Sequence, residues 1–146
     1  MNNVSVVGIG NSLYCDDGVG CEVVRRLMER NKDDHLEFII AESDIYYCLS
    51  KIHASRIVIV DALYAGYKPG SIHLFNLKEC SACLQNGLSM HNQHLIPLLK
   101  TTGAFTILII GIEPFELSLQ AGLSHAMELC LPNIVNSTAV ILSSIA

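Results

Sequence analysis

The sequence predicts an α/β protein: a three-layer α/β/α sandwich with a mainly parallel, twisted sheet and helices on both faces. Three observations carry this. Short, almost wholly apolar runs rich in Val and Ile recur along the chain, as strands buried on both faces require. Segments with helical spacing of apolar residues separate them, and alternation of this kind builds parallel sheets through crossover helices. The 146 residues, 51% hydrophobic and only 16% charged, suit one core-rich domain spanning 1–146.

Val4 to Gly10 (VSVVGIG) reads as a buried strand ending in glycines. Asp17 to Arg30 reads as a helix, because Val19, Val23 and Leu27 fall four residues apart with Val24 and Met28 beside them, while Arg25, Arg26, Glu29 and Arg30 take the other side. Leu36 to Ala41 is a second strand and Asp44 to Ile52 a short helix. Arg56 to Val60 (RIVIV) is a third strand closed by Asp61. Lys68-Pro69-Gly70 signals a turn before an edge strand at Ile72 to Phe75. His94 to Thr101 has a helical pattern, Phe105 to Ile110 is a further buried strand, and two helical stretches follow, Ser124 to Leu131 and Asn133 to Ile145, parted by Pro132. In open sheets of this type ligands bind beyond the carboxyl ends of the strands, where the strand order reverses. Gly8 to Asp17 and Asp61 are therefore expected at one edge of the sheet.

The composition narrows the function. A net charge of −5, with scattered basic residues, argues against nucleic acid as a partner. No signal peptide is read at the start, and the longest apolar run, Ile107 to Ile112, is far short of the ~20 residues of a membrane span. A cytoplasmic protein without membrane insertion is expected, acting as a monomer. The six cysteines are then expected as thiols. Cys80 and Cys83 form a lone CxxC with no second pair at zinc-site spacing.

Four groups of residues could carry chemistry. Gly8-Ile9-Gly10-Asn11-Ser12-Leu13 begins like a dinucleotide fingerprint, but Leu13 replaces the third glycine, and the nearest acidic residue after the second strand, Glu42, lies 32 residues beyond Gly10. Asp16-Asp17 opens a helix, where one aspartate suffices as a cap and a second is free to point into a crevice. Asp61 stands rigidly at a strand end. His91 and His94 share a loop segment at i, i+3 spacing. Two carboxylates and an imidazole make a mixed nitrogen and oxygen site suited to a divalent transition metal such as nickel or zinc. A serine or cysteine hydrolase finds no support: there is no G-x-S-x-G elbow, and Cys15 has no assignable base.

The segment Gly8-Ile9-Gly10-Asn11-Ser12-Leu13-Tyr14-Cys15-Asp16-Asp17-Gly18-Val19-Gly20 resembles the N-terminal signature of the hydrogenase maturation proteases, the endopeptidases that process nickel-iron hydrogenase large subunits. Further segments resemble that family in the same order: Ile59-Val60-Asp61-Ala62 with Gly66, Pro69 and Gly70; Ser89-Met90-His91; Gly111-Ile112-Glu113-Pro114; and Gly122-Leu123-Ser124. The resemblance implies an endopeptidase that removes a C-terminal peptide from the nickel-loaded large-subunit precursor. It implies Asp17, Asp61 and His91 as both the catalytic set and the ligands to a nickel that arrives with the substrate, with His94 the alternative to His91 and Asp16 serving the helix end. In the isolated protein that site would stand empty or hold another divalent ion such as zinc or cadmium. A non-catalytic, metal-dependent assembly chaperone and a nucleotide-binding domain are the competing classes. One departure stands out: relatives carry a glycine-rich stretch after the second strand, where this chain has Ala41-Glu42-Ser43-Asp44. That difference bears on partner choice more than on the reaction.

Overall fold

The computed structural model describes residues 4–52, 54–77, 103–104 and 106–145. The predicted helix at 94–101, His91, His94, Cys80 and Cys83 lie outside them. Five strands form one sheet: β1 (Val4–Ile9), β2 (Leu36–Glu42), β3 (Arg56–Ala62), β4 (Ile72–Asn76) and β5 (Thr106–Ile112), in spatial order β2-β1-β3-β5-β4. All neighbours are parallel except β4, which pairs antiparallel with β5 at one edge. Helix α1 (Val19–Arg30) links β1 to β2, α2 (Ile45–Lys51) links β2 to β3, and α3 (His125–Ile145) closes the chain.

The apolar strands are apolar because both faces are covered. One core layer joins Val4, Val6, Val58, Val60, Ile110 and Ile112 to Val19, Val23 and Leu27 of α1 and to Met127, Leu131, Ile134 and Leu142 of α3. The other joins Val7, Ile9, Ile57, Ile59 and Ile109 to Cys48 of α2 and to Leu63 and Leu77. The period of two along each strand thus sends alternate side chains into different layers, which gives the predicted sandwich.

Two local expectations need correction. The helix after β1 does not begin at Asp17: Cys15–Gly18 form a 3-10 turn and the α-helix starts at Val19. Met28, expected on the apolar side, is 42% exposed. At the other end Pro132 does not divide two helices, and α3 runs unbroken from His125 to Ile145. Proline in a helix interior costs ~3 kcal/mol and frees the carbonyl four residues earlier. Here that carbonyl belongs to exposed Glu128, while Leu131, Ile134, Val135 and Leu142 bury an apolar face across the break. Burying a Leu or Ile contributes ~1.5–3 kcal/mol each, so packing wins over local propensity. By length and composition α3 would reach across a membrane, with a mean hydropathy of 1.2; in this fold its buried face covers the sheet.

Candidate functional site

Strand order places the reversal between β1 and β3, whose neighbours lie on opposite sides. A crevice at the carboxyl ends of these two strands is the expected ligand position. Asp61 occupies the penultimate position of β3, and Asp17 sits in the 3-10 turn that follows β1. Both are buried, at 0% and 4% exposure. Two predicted residues are thereby brought to one edge as expected.

Two glycines make the approach possible. A Cβ on Gly20 would stand 2.1 Å from the Val60 carbonyl oxygen and 2.7 Å from that of Ile9, so only glycine lets the start of α1 rest on the ends of β1 and β3. Gly10 adopts φ +140, and a Cβ there would lie 2.0 Å from the Asp17 carbonyl oxygen. Its lack of a side chain makes room for Asp17, and that removes the main argument for a phosphate loop. Glu42, the remaining fingerprint candidate, sits in the left-handed region at φ +53 and uses its carbonyl to accept the Gly10 N–H at 2.9 Å. The glycine-free stretch thus begins with a register shift at Ala41 near the end of β2 and ends at Asp44, whose Oδ1 accepts the Tyr47 N–H at 2.9 Å and caps α2.

The two adjacent aspartates part company. Asp16, expected to serve the end of its own helix, makes no such cap: neither the 3-10 turn nor α1 has a side-chain cap. Its Oδ2 instead accepts the N–H groups of Phe115 and Glu116 at 3.0 and 2.9 Å and the Ser124 hydroxyl at 2.8 Å, and its Oδ1 accepts the Ser124 N–H at 2.8 Å. Ser124 in turn caps α3 by accepting the Met127 N–H at 3.2 Å. Asp16 therefore fastens the first loop to the last helix. Cys15, alongside, adopts φ +52 and takes a backbone bond from its N–H to the Gln120 carbonyl at 2.9 Å.

Asp17 points the other way. Its Oδ2 accepts the Asn11 N–H at 2.9 Å, and its Oδ1 accepts the hydroxyl of Tyr64, two residues past β3. Asp61 Oδ1 accepts the Ala62 N–H at 2.8 Å, while Asp61 Oδ2 is buried and has no partner among the described residues. Burial, and then the negative charge of Asp17, push the Asp61 carboxyl well above the ordinary carboxylate range, against the Ala62 N–H, which favours the charged form. Burial and the bond to Asp17 likewise raise the Tyr64 phenol, so it remains a donor. Cys21, one turn into α1, is pushed to about 12, chiefly by burial, and its thiol is directed to the Gly10 carbonyl at 3.7 Å. It is an inert core thiol rather than a nucleophile.

A pair of buried carboxylates with one of its four oxygens unpartnered among the described residues is costly as it stands and suits a cation that takes the open oxygen. No group of three or more His, Cys, Asp or Glu able to hold a metal forms among the described residues. The third predicted ligand, His91, falls outside them. Sequence reasoning missed Tyr64 and Glu113. The Glu113 carboxylate accepts the N–H groups of Ala65 and Gly66 at 3.1 and 3.0 Å and so fixes the loop that carries Tyr64. Both stood inside segments that resemble the family, Tyr64 between Ala62 and Gly66 and Glu113 beside Pro114, but no pattern in the sequence singled out either.

Comparison with known proteins identifies the family. The family described as hydrogenase maturation protease matches residues 21–140. A protein of Methanocaldococcus jannaschii, provisionally described as a hydrogenase maturation protease, is 32% identical over 122 residues, covering 80% of this chain and 79% of its own. Among solved structures, the NiFe hydrogenase maturation protease of Thermococcus kodakarensis superposes with a TM-score of 0.76 at 26% identity, over 95% of this chain and 98% of that one. The hydrogenase maturating endopeptidase of Escherichia coli reaches 0.84 over 99% and 94%; at 23% identity it attests the fold. With a family match across most of its length and these relatives, the chain belongs to the hydrogenase maturation protease family.

Proposed function

We propose that this peptidase removes a C-terminal peptide from the nickel-loaded large-subunit precursor of a nickel-iron hydrogenase and recognises the substrate by its nickel. The observation that carries this is the open oxygen of Asp61, buried at the switch point beside the carboxylate of Asp17. Two carboxylates there, with His91 as third ligand, make a nitrogen and oxygen donor set suited to a divalent transition ion. Because the nickel belongs to the substrate, the metal-free enzyme carries the electrostatic cost of the pair until precursor binds. Metal content of the precursor is thereby the condition for cleavage. Asp17 and Asp61 would hold the substrate's nickel, which would supply polarisation of the scissile carbonyl or activation of water, or would dock the substrate for a carboxylate acting as general base. The four described cysteines are free thiols, which suits a reducing cytoplasm, and a monomer suffices for such a site.

The test uses purified precursor with and without nickel, incubated with the enzyme and weighed by mass spectrometry. Nickel-loaded precursor is expected to lose its C-terminal peptide and nickel-free precursor to stay intact. Asp17→Asn, Asp61→Asn and His91→Ala should each abolish shortening. Full activity of the Asp61 variant would sink the assignment, and precursor that binds but keeps its length would favour an assembly chaperone.

A further inference from the structure

The hydroxyl of Tyr64 donates to Asp17 Oδ1, the one Asp17 oxygen that no backbone amide takes up among the described residues. The contact is built rather than incidental. Glu113, itself buried, clamps the two residues that follow Tyr64 through their amides, and the Tyr64 ring packs against the core layer under α1 and α3. We propose that Tyr64 is a latch on the cation site, holding Asp17 in the metal-free enzyme and yielding when a cation arrives, so that free divalent ions are bound weakly. This rests on the reading of Asp17 and Asp61 as ligands.

The argument is one of linkage. A hydrogen bond to an ionised carboxylate is strong because the acceptor carries a full charge. The same bond softens the repulsion between Asp17 and Asp61, which are buried together at the carboxyl ends of β1 and β3 with Asp61 Oδ2 unpartnered among the described residues. A bound cation drains charge from Asp17 and relieves that repulsion by itself. The hydroxyl therefore stabilises the empty site more than the filled one, and any such group lowers affinity for the ion that fills it. A nickel presented within a protein substrate brings further contacts to overcome the latch, whereas a free aqueous ion brings none. Discrimination of this kind works through a cost imposed on the wrong ligand.

The measurement is calorimetric titration of the untagged full chain with nickel chloride and, separately, cadmium chloride at neutral pH. Tyr64→Phe is expected to bind about tenfold more tightly than the parent, a change of about 1.4 kcal/mol. Tyr64→Met, which removes the hydroxyl with a different shape, should move in the same direction. In either background Asp61→Asn should remove the tightened uptake. A tyrosine that merely props the site would give the opposite sign, with weaker binding in both variants. Unchanged or weaker binding in both, with uptake still lost in Asp61→Asn, overturns the latch and leaves the carboxylate pair standing. Uptake indifferent to Asp61→Asn in every background, or no uptake in any, overturns both.

Discussion

Asp16 and Asp17 are consecutive, both acidic and both buried, yet they live in opposite electrostatic circumstances. Asp16 gathers three amide N–H groups and a hydroxyl around its two oxygens and joins the first loop to the cap of α3. Asp17 has two donors, one of them a removable phenol, and faces Asp61, whose second oxygen is orphaned. A buried charge with a full set of donors is a structural fastening, because each donor replaces a water lost on burial. A buried pair left short of donors is a liability in the empty protein and an invitation to a cation. Position along the chain does not separate these roles; the direction of each side chain out of one 3-10 turn does.

The largest stability effect should therefore fall on the residue that is not at the site. Asp16→Ala leaves the amides of Phe115, Glu116 and Ser124 and the Ser124 hydroxyl without their acceptor. Removing one side of a buried charged network typically costs about 3–5 kcal/mol. Equilibrium denaturation should show that loss, whereas Asp17→Asn, which keeps its shape, should stay within about 1 kcal/mol of the parent while losing processing. A mild Asp16 variant would erase the distinction between fastening and site.

Gly10 sits where the two regions meet, and its substitution should sharpen the comparison. An alanine Cβ would fall 2.0 Å from the Asp17 carbonyl oxygen in a backbone at φ +140. Strain and overpacking of this sort cost about 1–3 kcal/mol each. Gly10→Ala is expected to lower stability by about 3 kcal/mol and to lose cation uptake together with it, because relief of the clash moves Asp17. Uptake retained at parental affinity would show that the turn tolerates displacement and that Asp17 is not held by it.

Much of this was legible in the residues themselves. The central strands β1, β3 and β5 stand in the chain as Val- and Ile-rich runs, since burial on both faces leaves little room for polar positions, whereas β4 at the edge, with His73 and Asn76, carries a weaker signal. Asp61 was readable because a carboxylate that ends such a run has nowhere to go but the crevice. Boundaries were less so: the helix through Pro132 depends on tertiary burial that outweighs a local rule, and the 3-10 turn at Cys15–Gly18 is set by contacts with the 116–122 loop. The role of Asp16 was not readable, because its donors come from residues about a hundred positions away. Tyr64 escaped for a related reason. It acts through one contact with Asp17 and belongs to no spacing pattern.

The smallest effect should be a gain. A carboxyl whose folded pKa is raised above its unfolded value favours folding when protonated, and that contribution is present in acid and lost as pH climbs through the folded pKa. Asp61 is such a group, raised first by burial and then by Asp17. With the site empty, its ionisation at higher pH costs stability. Asp61→Asn cannot ionise, keeps an oxygen for the Ala62 N–H, and removes the repulsion with Asp17. In metal-free protein it is expected to raise stability by about 1 kcal/mol at pH 8, or roughly 2–4 °C in Tm for a chain of this size. The gain should shrink toward pH 5, where the parent aspartate holds more of its proton. Thermal melts of both proteins across that range read the sign directly. A variant less stable than the parent at high pH would mean that Asp61 is compensated in the folded chain, as Asp16 is, and the contrast between the two aspartates would fail at its most exposed point.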